Sequence, residues 1–191
     1  DSLGKFINSD LSTFHSQFDQ YFDKTNMIDS LLFLEMIYDY DAVAQDIEIV
    51  SYDLKKWYFL PWDKDTTFGM LFKGTGFIKG SENQLVIDYS NERPSETPWF
   101  KTYWAFQSEV EARYAQLRNE GIFSAEHIAE TANEIHHLIP EEAWEAEKTK
   151  WDPLGRPTLD GSGLDQIVEW VQKRLEMMDE HFNYVPVRNK N

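Results

Sequence analysis

The chain contains no cysteine. Disulfides, thiolate nucleophiles and cysteine-ligated structural zinc are therefore excluded, while the compartment is left open. Positive charge is scarce: 18 Lys and Arg stand against 34 Asp and Glu, a formal net charge of −16. That balance argues against nucleic-acid backbones and anionic membranes as partners. It also repels ATP unless a cation intervenes or the site is locally basic. No apolar run approaches the length of a membrane span, and no signal-peptide pattern is present. Internal repeats and coiled-coil heptads are missing too. What remains is a globular composition, 41% hydrophobic and 15% aromatic over 191 residues, enough for one domain with a real core. The chain opens at Asp1 without a methionine and runs straight into helical pattern. We expect a piece of a longer polypeptide, with a single domain over 1–184 and a tail or linker over 185–191.

Ser12 to Phe22 places Phe14, Phe18 and Phe22 four apart on one helical face, with Ser12 as N-cap. Thr25 is a second cap candidate, opening a helix over about Asn26 to Tyr38. Apolar residues lie nearly all round that segment, which predicts the central buried helix. An acidic loop, Asp39 to Asp46, follows. Ile47 to Ser51 alternates as a strand, Tyr52 to Lys55 turns, and Lys56 to Leu60 returns to close a hairpin. Helical spacing resumes from Trp99 through Phe100, Tyr103, Trp104, Val110, Tyr114 and Leu117. Ser124 caps a further helix holding Ile128, Ile135 and Leu138, Pro140 starts another, and Leu164 to Phe182 forms the last. His136 and His137 are adjacent, and adjacent helical residues do not face each other, so they are weak as metal ligands and are read as solvent-facing or partly packed. The fold class is mainly α with one small β-hairpin.

The hairpin ends in the stretch that organises the rest, Pro61-Trp62-Asp63-Lys64-Asp65-Thr66-Thr67-Phe68-Gly69. Two carboxylates one residue apart at the mouth of a strand can hold a hard cation such as magnesium, which takes oxygen ligands and keeps water and substrate phosphate. Strand pairing would carry the loop aspartates to the same end of the hairpin. The later segment Gly74-Thr75-Gly76-Phe77-Ile78-Lys79-Gly80 lacks the helix start that a phosphate loop needs. A mobile loop or hairpin fits it better.

These residues resemble the spore-coat-protein-H (CotH) kinase family, an atypical branch of the protein-kinase fold. The resemblance rests on the Pro61 to Gly69 block, on the helix–loop–hairpin order before it, and on a closing helix with Trp170 and Arg174 in place. It implies the C-terminal lobe of such a kinase, with Asp41 as catalytic base and Asp63 as metal ligand. Asp65 offers a second ligand and Asp46 a third. Asp39 stands where the family often has asparagine, and Asp46 stands where it usually has asparagine. Magnesium or manganese with ATP is the implied cofactor, and its use requires an N-terminal lobe that these residues do not contain. The resemblance further implies a protein hydroxyl as phosphate acceptor. A spore coat, virion or bacterial surface is the implied location. The competing expectation is a catalytically silent structural module of a phage tail, spore coat or surface protein. Simple cation binding without nucleotide is a third. A lone lobe should also expose apolar residues beside its acidic cluster, to be covered by self-association or by the glycine-rich loop.

Overall fold

A computed structural model of the chain describes residues 2–43, 45–71, 77–151 and 162–186. Eight helices and one hairpin follow in the order α1 (Ser2–Ile7), α2 (Leu11–Tyr21), α3 (Lys24–Ile37), β1 (Ile47–Val50), β2 (Tyr58–Pro61), α4 (Thr97–Ala105), α5 (Gln107–Asn119), α6 (Ala125–Leu138), α7 (Glu141–Trp151) and α8 (Ser162–His181). The mainly helical expectation is met. None of the described helices is long and apolar enough to cross a membrane.

The core forms around α3. Met27, Leu31, Leu32, Leu34 and Met36 are buried, and α2 adds Phe14 and Phe18. Phe6, Phe14, Phe18, Phe22, Phe59 and Trp99 continue as a ladder of ring contacts, with centroids 4.6–5.6 Å apart at the Phe14–Phe18, Phe18–Phe22, Phe22–Phe59 and Phe59–Trp99 steps. Aromatic burial of this kind dominates core energetics.

The caps differ from the expected ones by two residues each. Asp10, not Ser12, accepts the Thr13 N–H and opens α2. Asp23, not Thr25, accepts the Asn26 N–H and opens α3. A carboxylate satisfies the first-turn donors as a hydroxyl does and also complements the helix dipole. The stripe from Trp99 to Leu117 is not one helix. Phe106 leaves helical geometry at φ −133° and ψ 33°, dividing α4 from α5 and burying its own ring. On α6 the expected core stripe fails at its C-terminal end, where Ile135 and Leu138 are exposed. His136 and His137 face solvent as expected, and His136 stacks on Trp144 at 5.0 Å.

In the hairpin, β1 and β2 run antiparallel with Ile47 opposite Pro61 and Val50 opposite Tyr58. The second strand starts two residues later than expected and includes Pro61. Pro61 has no N–H to offer, so it belongs at the end of a strand. The outer edge of β2 is covered in two ways. Asn26 donates its side-chain amide to the Phe59 carbonyl at 3.0 Å and accepts the Phe59 N–H at 2.8 Å. Trp57 continues the edge by pairing with the α2–α3 link, its N–H donating to the Tyr21 carbonyl. Phe59 itself is buried, so the hairpin is stapled to α3 by a ring and by a side-chain amide together.

Candidate functional site

Helix α3 ends with Tyr38 in the left-handed region at φ 53°. The Asp39 N–H donates to the Leu34 carbonyl at 3.0 Å and the Tyr38 N–H to the Glu35 carbonyl at 3.2 Å, the Schellman arrangement. It turns the chain sharply and buries Asp39 at the start of the acidic loop. Asp39 Oδ1 accepts the Ala42 N–H at 3.0 Å, and the Gln45 N–H donates to the Asp41 carbonyl at 2.9 Å. A tight turn results, with Asp41 half-buried at its tip.

The segment after β2 docks onto this turn. Thr66 donates its hydroxyl to Asp41 Oδ2 at 2.8 Å. Thr67 donates to the Lys64 carbonyl at 2.9 Å, and the Phe68 N–H donates to the Ile37 carbonyl at 2.6 Å. Lys64 reaches the other way. Its ammonium lies 2.7 Å from Asp39 Oδ2 and donates to the Asp46 carbonyl at 2.7 Å. Among the described residues Asp39 Oδ2 makes no well-aligned hydrogen bond, so the ion pair is what meets it. Burial pushes the Asp39 carboxyl above its ordinary range, and Lys64 opposes that shift.

Backbone strain gathers here. Tyr38, Asp63 and Phe68 are non-glycine residues with positive φ, at 53°, 52° and 54°, and Gly69 follows at 75°. Such conformations persist only where surrounding contacts enforce them, and they concentrate at functional sites. Gly69 is required for a second reason: a Cβ there would come within 2.6 Å of Trp170 Nε1 and closer still to Ser81 Oγ.

The strand register sets Asp46 and Asp63 at the same, open end of the hairpin. Asp63 and Asp65 are exposed, Asp41 and Asp46 half-buried. Among the described residues no three carboxylate or imidazole groups stand together closely enough to enclose a cation. The two acidic segments are thus tied to one another by Lys64 and Thr66. Sequence reasoning passed over both residues, because a lysine between two aspartates reads as a solvent-facing counter-charge. Of the glycine-rich segment, residues 72–76 lie outside the described residues; its flanks close in an antiparallel bridge between Met70 and Phe77.

Beside the site, Leu60 is 48% and Trp62 62% exposed, with Leu71 and Phe77 at 40% and 39%. Behind it, Glu35 is fully buried and holds the far side together. Its carboxylate accepts the Val86 and Ile87 N–H groups and the Tyr89 hydroxyl at 2.9–3.1 Å, and pairs with Arg174 at 2.8 Å. Nothing in the apolar run from Met27 to Ile37 signals that role.

The structure thus sets an aspartate turn from the hairpin against an aspartate loop from the end of the central helix. The family model described as "CotH kinase protein" matches residues 1–178, and the chain belongs to that family. No curated protein and no solved structure matches it.

Proposed function

We propose that this lobe carries the acidic half of a phosphotransferase site, moving phosphate from a metal-bound nucleotide to a protein hydroxyl. The observation that supports it best is the joining of the Asp41 turn to the Asp63 turn through Thr66. In this reading Asp41 is the base. Thr66 occupies Asp41 Oδ2, fixing the carboxylate plane and leaving Oδ1 without a partner among the described residues to accept the proton of an attacking hydroxyl. Asp63, with either Asp65 or Asp46 beside it, would hold magnesium or manganese. Their donor set is all oxygen and lies at the surface, which suits a cation that keeps most of its water and takes one or two carboxylates. The metal, when bound, would neutralise charge on the transferred phosphate. We assign the nucleotide's base and the phosphate-covering loop to an upstream lobe of the same polypeptide, with the exposed Leu60 and Trp62 facing it.

A second reading, a structural module that kept the lobe without its chemistry, is favoured by Asp46. A carboxylate in place of asparagine adds repulsion against nucleotide phosphate. Phosphate transfer from labelled ATP with manganese, measured on the longest natural polypeptide, separates the two. Transfer that disappears in Asp41→Asn and Asp63→Ala supports catalysis. Absence of transfer together with absence of manganese binding favours the module.

A further inference from the structure

Five aspartates, at 39, 41, 46, 63 and 65, stand in two short segments, and Lys64 is the one basic residue in residues 39–46 and 61–69. Its surroundings are unlike those of a counter-charge on the surface. The lysine side chain is 20% exposed, while that of its partner Asp39 is only 1% exposed. It bridges a side-chain carboxylate at the start of the loop and a main-chain carbonyl at its end, both at 2.7 Å. A single cation therefore spans the whole loop that carries Asp41. The lysine's own carbonyl is fixed by Thr67, so the bridge is anchored in the turn that carries Asp63 and Asp65.

We propose that Lys64 is a cation latch, a positioning residue that holds the Asp41 loop in register with the Asp63 turn. The latch supplies a permanent positive charge between the segments and makes their geometry independent of metal. A lysine suits this role because its ammonium offers three donors and can satisfy a carboxylate and a carbonyl in different directions. Asp39 is where the pairing becomes specific to this chain. An asparagine at that position could still receive the Ala42 N–H, but it would give a lysine no charge to pair with. Through the latch the inference rests on the proposed site for its functional meaning, although the latch itself is a property of the free lobe.

Amide exchange by NMR, without metal, tests it in the whole chain. In Lys64→Met, protection of the Ala42 and Gln45 N–H groups should fall about tenfold or more while α3 keeps its protection. Lys64→Arg, which keeps the charge, should stay near the wild type. Calorimetric manganese affinity should weaken about tenfold in Lys64→Met and not in Lys64→Arg, as expected for a supporting partner of a metal site. Unchanged protection at Ala42 and Gln45 would overturn the latch, as would a uniform loss that includes α3 or an arginine variant no better than methionine. If Lys64→Met fails to fold, Asp39→Asn/Lys64→Met leaves no buried charge and carries the same readout at Gln45. A wild-type chain that binds no manganese would instead overturn the metal assignment, and the exchange data alone would then decide the latch.

Discussion

Arg174 and Glu35 form an ion pair across 139 positions of sequence with neither side chain exposed to solvent. The guanidinium also donates to the main-chain carbonyls of Glu35, Ser81 and Gln84. Four segments meet on one side-chain pair: α3, the 3-10 turn at Ser81–Asn83, the bend at Val86 and Ile87, and α8. Removing one partner leaves an uncompensated buried charge, which costs far more than the pair contributes. Arg174→Met should lose about 3–5 kcal/mol of unfolding free energy by this mechanism. Glu35→Gln/Arg174→Met should recover part of it, and urea titration of the three proteins gives the comparison.

Asp63 combines an exposed carboxylate with a left-handed backbone. Asp63→Ala and Asp63→Gly should both abolish manganese binding in calorimetry. Their stabilities should differ, with the glycine variant more stable than the alanine variant by about 1 kcal/mol, because only glycine adopts positive φ without strain. Equal stability would mean that the turn relaxes when the carboxylate goes.

Gly69 meets α8 where Trp170 donates its indole N–H to Ser81 Oγ at 2.9 Å. Gly69→Ala should cost about 2–4 kcal/mol, combining left-handed strain with overpacking. Because the indole of Trp170 is displaced, the intrinsic fluorescence should shift to the red. Retained emission with native stability would show that the contact is easily relieved.

His181 stacks on Tyr89 and Tyr103 at 5.3 and 5.6 Å, and its buried Nε2 has no hydrogen-bond partner among the described residues. Burial lowers its pKa below the ordinary 6.5, with Arg174 acting in the same direction and Glu111 opposing. The unfolded chain therefore takes up this proton at a higher pH than the folded one. The contribution is complete above the unfolded value and is lost as pH falls through it. Between pH 7.5 and 5.5, the wild type should lose more stability than His181→Phe, whose ring keeps the stack. Identical slopes would count against a neutral buried imidazole.

Much of the fold was legible because a few segments carry unambiguous periodicity. The all-round apolar run of α3 has no solution except burial, and Ile47 and Ile49 alternate before a returning aromatic strand. The Pro61 to Gly69 block located the acidic turn because proline, paired carboxylates and glycine each restrict the backbone in a different way. The caps misled because Asp10 and Ser12, or Asp23 and Thr25, are equally able to accept a first-turn N–H, and packing decides which does. Phe106 looked like one more apolar position in a helical stripe. Its departure from the helix is fixed by what its ring meets, Phe18 at 4.7 Å and His15 at 5.0 Å, which spacing does not encode. Glu35 and Lys64 were hidden for the same reason. A charge in an apolar run and a charge between opposite charges both acquire meaning only from partners far away in the chain.

The amide of Asn26 has a consequence for how the acidic turn is aimed. Along β2 the main-chain groups alternate in direction, so the pair that faces Asn26 is that of Phe59 and not those of its neighbours. A slip of the strand by one residue would present groups pointing the wrong way and would turn the Phe59 ring out of the core. Asn26 thus serves as a gauge: it reads one position of the strand and thereby fixes where the chain leaves it. The direction in which Asp63 emerges is set from the first turn of α3, and the last turn of the same helix delivers Asp39. One rigid rod of 14 residues measures out both halves of the site, so a change at either end of it is felt in the geometry of the other.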